Sequence, residues 1–227
     1  MPPMADIDDL FLEHLGASLS KQMTLLRAVE GLPCDIDLDA GEAKFGDRYT
    51  FPIQILGFEQ EEDEGSDVWA WSWAFDEDSI PPELTQAALE IKELGEKNDL
   101  DILYVASYEI EDIGGDELAI LGCGLTDAAS FFVANTEEDI AYFLIPDLGG
   151  QVPDDRPAAF VAEVVTEMLE SYELDEPEPA LRSYLRYEGY VLEEAPRRWT
   201  ARHPSGRHLT LSFDDQGRLA NLDASEG

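Results

Sequence analysis

VWAWSWAF, residues 68–75, is the densest aromatic stretch of the chain. Three of the four tryptophans sit in it, at alternate positions: Trp69, Trp71 and Trp73. Between them lie Val68, Ala70, Ser72 and Ala74. A strand sends successive side chains to opposite faces, so this spacing predicts one strand with its indoles on one side. Each indole side chain can bury on the order of 200 Å². Three left open would form an unusually large apolar patch, so something must cover them. Apolar stripes in the segments before and after, 7–31 and 82–97, make those two helices the expected cover. Aromatic rows of fitting period are usually core, which is the first expectation here. The alternative is a partly open cleft in which Trp69, Trp71 and Trp73 form one wall of a ligand pocket.

Outward from this strand the periodicity alternates between two kinds. Residues 7–31 carry Leu10, Phe11, His14, Leu15, Leu19, Met23, Leu26 and Ala28 at helical spacing, closed by Gly31 and Pro33. Residues 34–59 alternate apolar and polar side chains and predict two short strands and one longer one, 49–58, the antiparallel partner of the tryptophan strand. Pro81 or Pro82 starts a helix running to about Lys97, since a missing N–H is harmless there. Residues 101–110 read as either strand or extended loop. Residues 116–128 read as a helix in which Gly122 and Gly124 allow close packing. A hairpin over 130–135 and 140–146 follows, then helices over 157–173 and 178–190. The tail, 191–224, reads as a β-meander turning at 204–206 and 214–217.

This order lacks the strict strand–helix alternation of a parallel sheet. Short turns between consecutive strands imply antiparallel pairing. The predicted fold class is α+β, with antiparallel sheets packed against helices and a C-terminal β-meander. No glycine- or serine-rich linker divides the chain. One domain over 1–227 is expected, with a two-lobed layout left open: a tryptophan-strand lobe over 1–110, then a hairpin, helices and meander over 111–227.

The charge is the unusual quantity. In 227 residues there are 51 Asp and Glu against 14 Lys and Arg, a formal net of -37. Residues 180–227 hold seven arginines and seven carboxylates, so the excess lies in residues 1–179. Such a field repels nucleic acid and anionic membranes and attracts basic partners. It also suits plain solvation, or hydration in high salt. The loop EQEEDEGSD, 59–67, is its densest block, and Glu61, Glu62, Asp63 and Glu64 are the candidate contacts for a basic partner. Hydrophobic residues at 44% supply a real core, and mean hydropathy is -0.25. No apolar run approaches the roughly 20 residues that span a bilayer. The start MPPMADIDDL is acidic and lacks a basic n-region, so it is not expected to act as a secretory signal. Cys34 and Cys123 fit no metal or disulfide spacing and are expected to be reduced, buried thiols in a cytoplasmic protein.

Sequence signatures of chemistry are missing. There is no G-x-S-x-G, no phosphate-binding G-x-x-x-x-G-K-S/T, no H-E-x-x-H and no C-x-x-C. Gly122-x-Gly124 lacks the third glycine of a dinucleotide site. His203 and His208 flank a turn and could face each other, but two ligands do not make the four-coordinate site that zinc prefers. His14 is expected in the core or at its boundary. The arginines of 182–202, with Tyr184, Tyr187, Tyr190 and Trp199, are expected to hold the protein's own acidic groups rather than nucleic acid. No catalytic residue, metal or cofactor is therefore assigned.

The runs FPIQILGFE (51–59), WAWSWAF (69–75) and IPPEL (80–84) with the helix after it resemble a family of uncharacterised bacterial proteins. Its members carry a W-x-W-x-W-A-N strand and a Pro-initiated helix. SFDDQGRL (212–219) resembles that family's closing F-D-x-x-G-R strand. Phe75 stands where the family has Asn, which removes a polar tip from any site there. The resemblance implies a shared fold across most of the chain and no activity. Two functions of different class are then expected. The first is a non-enzymatic, acidic binding protein of the inhibitor or immunity type, acting on a basic protein. The second is a small-ligand or enzymatic domain with the tryptophan strand as a pocket wall.

Overall fold

A computed structural model describes residues 6–61, 67–76, 79–111, 113–136 and 139–226. The first helix, α1 (Ile7–Val29), begins where the Asp6 carboxylate accepts from the Asp9 N–H at 2.8 Å. Asp8 and Asp9 in its first turn and Arg27 in its last complement the helix dipole. Leu15, Leu19 and Leu25 are fully or almost fully buried, whereas Leu26, placed on the apolar stripe by spacing alone, is exposed.

Four strands follow: β1 (Cys34–Asp37), β2 (Glu42–Phe45), β3 (Tyr49–Pro52) and β4 (Gln54–Glu61). The expected long strand over 49–58 is thus two strands. The break is at Ile53, whose N–H turns away to the Gly41 carbonyl at 2.9 Å. β3 stays with β2 in a three-stranded sheet, while β4 enters the central one. The tryptophan strand, β5 (Asp67–Trp71), pairs antiparallel with β4 from Gly57 to Glu61.

Trp69 and Trp71 share a face as expected, are fully buried, and meet edge to face at 5.4 Å. Trp73 does not join them. The chain leaves the strand in a short 3-10 turn, Ser72–Ala74, as the Ser72 hydroxyl donates to the Ile55 carbonyl at 2.6 Å. Trp73 is left half-buried beneath the Lys92 ammonium, 4.1 Å from its ring centroid.

After a 3-10 turn at Pro82–Leu84 come α2 (Gln86–Asn98), α3 (Asp101–Tyr104), β6 (Ser107–Glu109) and α4 (Gly115–Leu125). The ambiguous 101–110 segment is therefore a helical turn and then an edge strand. β7 (Ser130–Asn135) and β8 (Asp139–Ile145) form the expected hairpin, and α5 (Ala158–Ser171) and α6 (Glu178–Tyr187) follow it. The chain closes with β9 (Val191–Ala195), β10 (Arg198–Arg202), β11 (His208–Phe213) and β12 (Leu219–Ser225), an antiparallel meander. The fold is α+β.

The central sheet has the order β6-β5-β4-β8-β7 and draws strands from both sides of residue 110. A β-bulge between Ile55 and Gly57 shifts the phase of β4. Ile53 and Ile55 pack with Phe45 and Phe51 of the small sheet and with Phe143 of β8. Beyond the bulge, Leu56 belongs with the tryptophans, Tyr142 and α4. Helices α1, α2 and α4 cover that face, and α5 and α6 lie between α1 and the meander. Trp69 and Trp71 belong to the same core cluster as side chains of α1, α2 and α4, with α2 and α4 packed on the neighbouring β4 and α1 on β7 further along the sheet. Gly57 makes room for them: an added Cβ would stand 2.4 Å from the Trp69 ring.

Candidate functional site

Glu59 breaks the apolar pattern of its strand face. It lies two residues beyond Gly57, opposite Trp69, on the side that the helices cover. Its half-buried carboxylate accepts from the Tyr142 hydroxyl at 2.5 Å and from the Gly115 N–H at 3.4 Å. The next N–H back, that of Gly114, donates to Glu117 at 3.1 Å. Two carboxylates therefore share the exposed N–H groups at the start of α4. Only glycine fits at 115, because an added Cβ would stand 2.2 Å from the Tyr142 ring.

Around this cup lies an open cleft of about 320 Å³, walled by Glu59, Asp116, Glu117, Tyr142, Glu167 and Tyr172. Glu167 is fixed by the Ser171 hydroxyl at 2.7 Å. None of the four carboxylates makes an ion pair among the described residues. Asp116 keeps an exposed edge, yet partial loss of solvent and then the like charges of Glu117 and Glu59 push its carboxyl above the ordinary range. Burial also raises the Tyr142 and Tyr172 hydroxyls, helped for Tyr142 by its bond to Glu59 and for Tyr172 by Asp116, Glu117 and Glu167. Both remain donors at neutral pH. The site therefore offers carboxylates and phenol edges to a cation, which would offset the repulsion that raises Asp116.

Glu62, Asp63 and Glu64 lie outside the described residues, as does the side chain of Glu61, whose backbone ends β4. Trp69 and Trp71 are closed off from solvent in the core. Sequence reading missed Glu59 and the Asp116-Glu117 pair. Their signals were a carboxylate in phase with the tryptophan face, and two acids directly after two glycines at a helix start.

The histidines do not meet. His208 is opposite Arg202 in the ladder, and His203 lies one residue further on, facing Arg207. His203 bonds Ser205 at 2.7 Å and Arg207 at 3.1 Å, while His208 bonds Ser225 at 3.0 Å. No group of three or more metal-ligating side chains occurs among the described residues. Cys123 is buried, and burial pushes its thiol up to about 11. Cys34 is exposed, contrary to expectation, because it begins a strand whose early positions face solvent.

Several C-terminal arginines hold nearby acids, as their abundance suggested. Arg182 grips Glu194 with two bonds of 3.0 and 2.9 Å, and Arg202 holds Glu193 at 2.8 Å. Arg218 pairs with Asp214 at 2.8 Å. A wider cleft of about 780 Å³ beside α5 is balanced in the same way, with Arg156 2.8 Å from both Asp154 and Glu188. Among the described residues, the cleft at Glu59 has no such internal cation.

Among the described residues, no helix is long and apolar enough to cross a membrane. No curated protein and no solved structure matches the chain. A family profile does match, over residues 8–148, which is more than half of the chain and includes Trp69, Trp71, Glu59, Asp116, Glu117 and Tyr142. An uncharacterised family was expected, and the chain belongs to the Family of unknown function (DUF6882).

Proposed function

We propose that this is a cytoplasmic, non-enzymatic binding protein of the inhibitor or immunity type, whose cleft at Glu59 receives a lysine or arginine side chain of a basic partner protein. The observation that carries the reading is that Glu59, Asp116, Glu117 and Glu167 line one cleft without an ion pair among the described residues. A guanidinium or ammonium would answer these carboxylates with charge-assisted bonds, stronger than neutral ones. The formal net charge of -37 would steer a basic partner toward the molecule, in a salt-dependent way. The buried tryptophans give the pocket-wall alternative no open surface at Trp69 or Trp71.

The test is affinity capture from a lysate of the source organism. The bait is wild-type protein beside a variant carrying Glu59→Gln, Asp116→Asn, Glu117→Gln and Glu167→Gln. Wild type should retain a discrete basic protein that the variant loses, and retention should weaken as salt rises. No basic partner at low and moderate salt, or equal retention on both baits, would refute the proposal.

A further inference from the structure

Glu117, Ser171 and Tyr172 of the acidic cleft also line a second groove of about 760 Å³. This groove differs in character. Its floor is apolar, formed by Phe11, Leu12, Ile113, Leu121, Tyr172 and Leu174. All but Leu121 are only partly buried, so the floor keeps some solvent-facing apolar surface. Its rim is acidic, with Asp8, Glu117, Glu173, Asp175 and Glu176, none of them in an ion pair among the described residues. Three segments build it: the first turns of α1, the entry and one face of α4, and the chain that leaves α5.

We infer that this groove is a docking surface for a basic amphipathic segment of a partner protein, with apolar side chains on the Phe11–Leu174 floor and lysines or arginines against the rim. The inference rests on the reading of the Glu59 cleft given above and names what lies next to the cation in it. Charge complementarity selects the occupant. An apolar strip bordered by carboxylates excludes an acidic segment by like-charge repulsion and leaves a purely polar basic segment without contacts on the floor. A segment with apolar and basic faces satisfies both, as amphipathic helices do in hydrophobic grooves. Because the groove and the cleft share Glu117 and Tyr172, one continuous segment can seat its apolar residues on the floor and send its next basic side chain to Glu59 and Asp116.

Two labelled 14-residue peptides of equal charge test this by fluorescence anisotropy at moderate salt. One carries leucines on one face of a helix and lysines on the other; in the second every leucine is replaced by serine. Wild type should bind the leucine peptide about tenfold or more tightly than the serine peptide, the equivalent of about 1.4 kcal/mol. Ile113→Ser and Leu174→Ser should remove most of that preference and leave serine-peptide binding as it was. The four cleft substitutions named above should weaken both peptides. Equal affinity of wild type for the two peptides overturns the groove inference, and this comparison requires no variant to fold. If both peptides bind the cleft variant as they bind wild type, the cation cleft itself is refuted, a separate outcome.

Discussion

Trp71 is enclosed on every side, and its indole N–H donates to the Ile102 carbonyl at 3.1 Å. Trp71→Ala empties that space and strands the carbonyl, so we expect a loss of about 3–5 kcal/mol in urea unfolding. Trp73→Ala, at a half-buried position in a turn, should cost clearly less. Equal losses would contradict the different placements of the two indoles. His14 provides a second residue-scale test. It is half-buried against Gly124, where an added Cβ would stand 2.3 Å from its ring. Burial, opposed by Glu13 and aided by Lys21, lowers its pKa below the ordinary 6.5. As pH falls, the unfolded chain takes up this proton before the folded one does. The stability held by neutral His14 is complete above 6.5 and declines as pH falls through that value toward the folded pKa. Wild type should therefore lose stability relative to His14→Gln between about pH 7.5 and about pH 5.5. A constant difference would show that His14 is not desolvated. The sequence showed the phase of Trp69 and Trp71, but not the departure of Trp73. A single hydroxyl, that of Ser72, bonding across to Ile55 ends the strand, and no periodicity encodes such a bond.

At the scale of elements, helices were the most legible, because their apolar stripes and their proline and glycine boundaries are local. Strand limits were less so. Ile53 reads as the middle of a strand, yet its N–H serves Gly41 and divides the segment between two sheets. The candidate site was the least legible, since it joins β4, β8, α4 and α5 from distant parts of the chain. Its assembly depends on the close approach of α4 to β8 at Gly115. Gly115→Ala would press a methyl group into the Tyr142 ring. We expect overpacking of this kind to cost about 1–3 kcal/mol, seen as a lower melting temperature. An unchanged melting temperature would mean that α4 does not lie this close. A second element-level device is at α5. Pro157 supplies no side-chain cap, and the Glu226 carboxylate accepts from the Ala158 N–H at 2.7 Å instead. Glu226→Ala should remove about 1 kcal/mol of stability, the usual worth of a helix cap.

For the whole molecule, composition foretold the dominant physics and left its location open. The C-terminal segment contains its own counter-charges, as in the Arg182–Glu194 and Arg202–Glu193 pairs. The Glu59 cleft has none among the described residues, although nothing in a charge count distinguishes its four carboxylates from the other 47 of the 51. Added salt should raise the melting temperature by screening self-repulsion, an effect shared by any chain this acidic. Binding at one place must be separated from that general field. The most direct measurement is calorimetric titration of an arginine-rich peptide into two variants of equal net charge. One carries Gln or Asn at Glu59, Asp116, Glu117 and Glu167. The other carries Gln at Glu83, Glu90, Glu93 and Glu96, all exposed on α2 and the turn before it. A specific cation cleft predicts that the first variant binds about tenfold more weakly than wild type and the second within about twofold of it. Equal weakening of the two variants would contradict it, because the peptide would then be answering net charge and not the site.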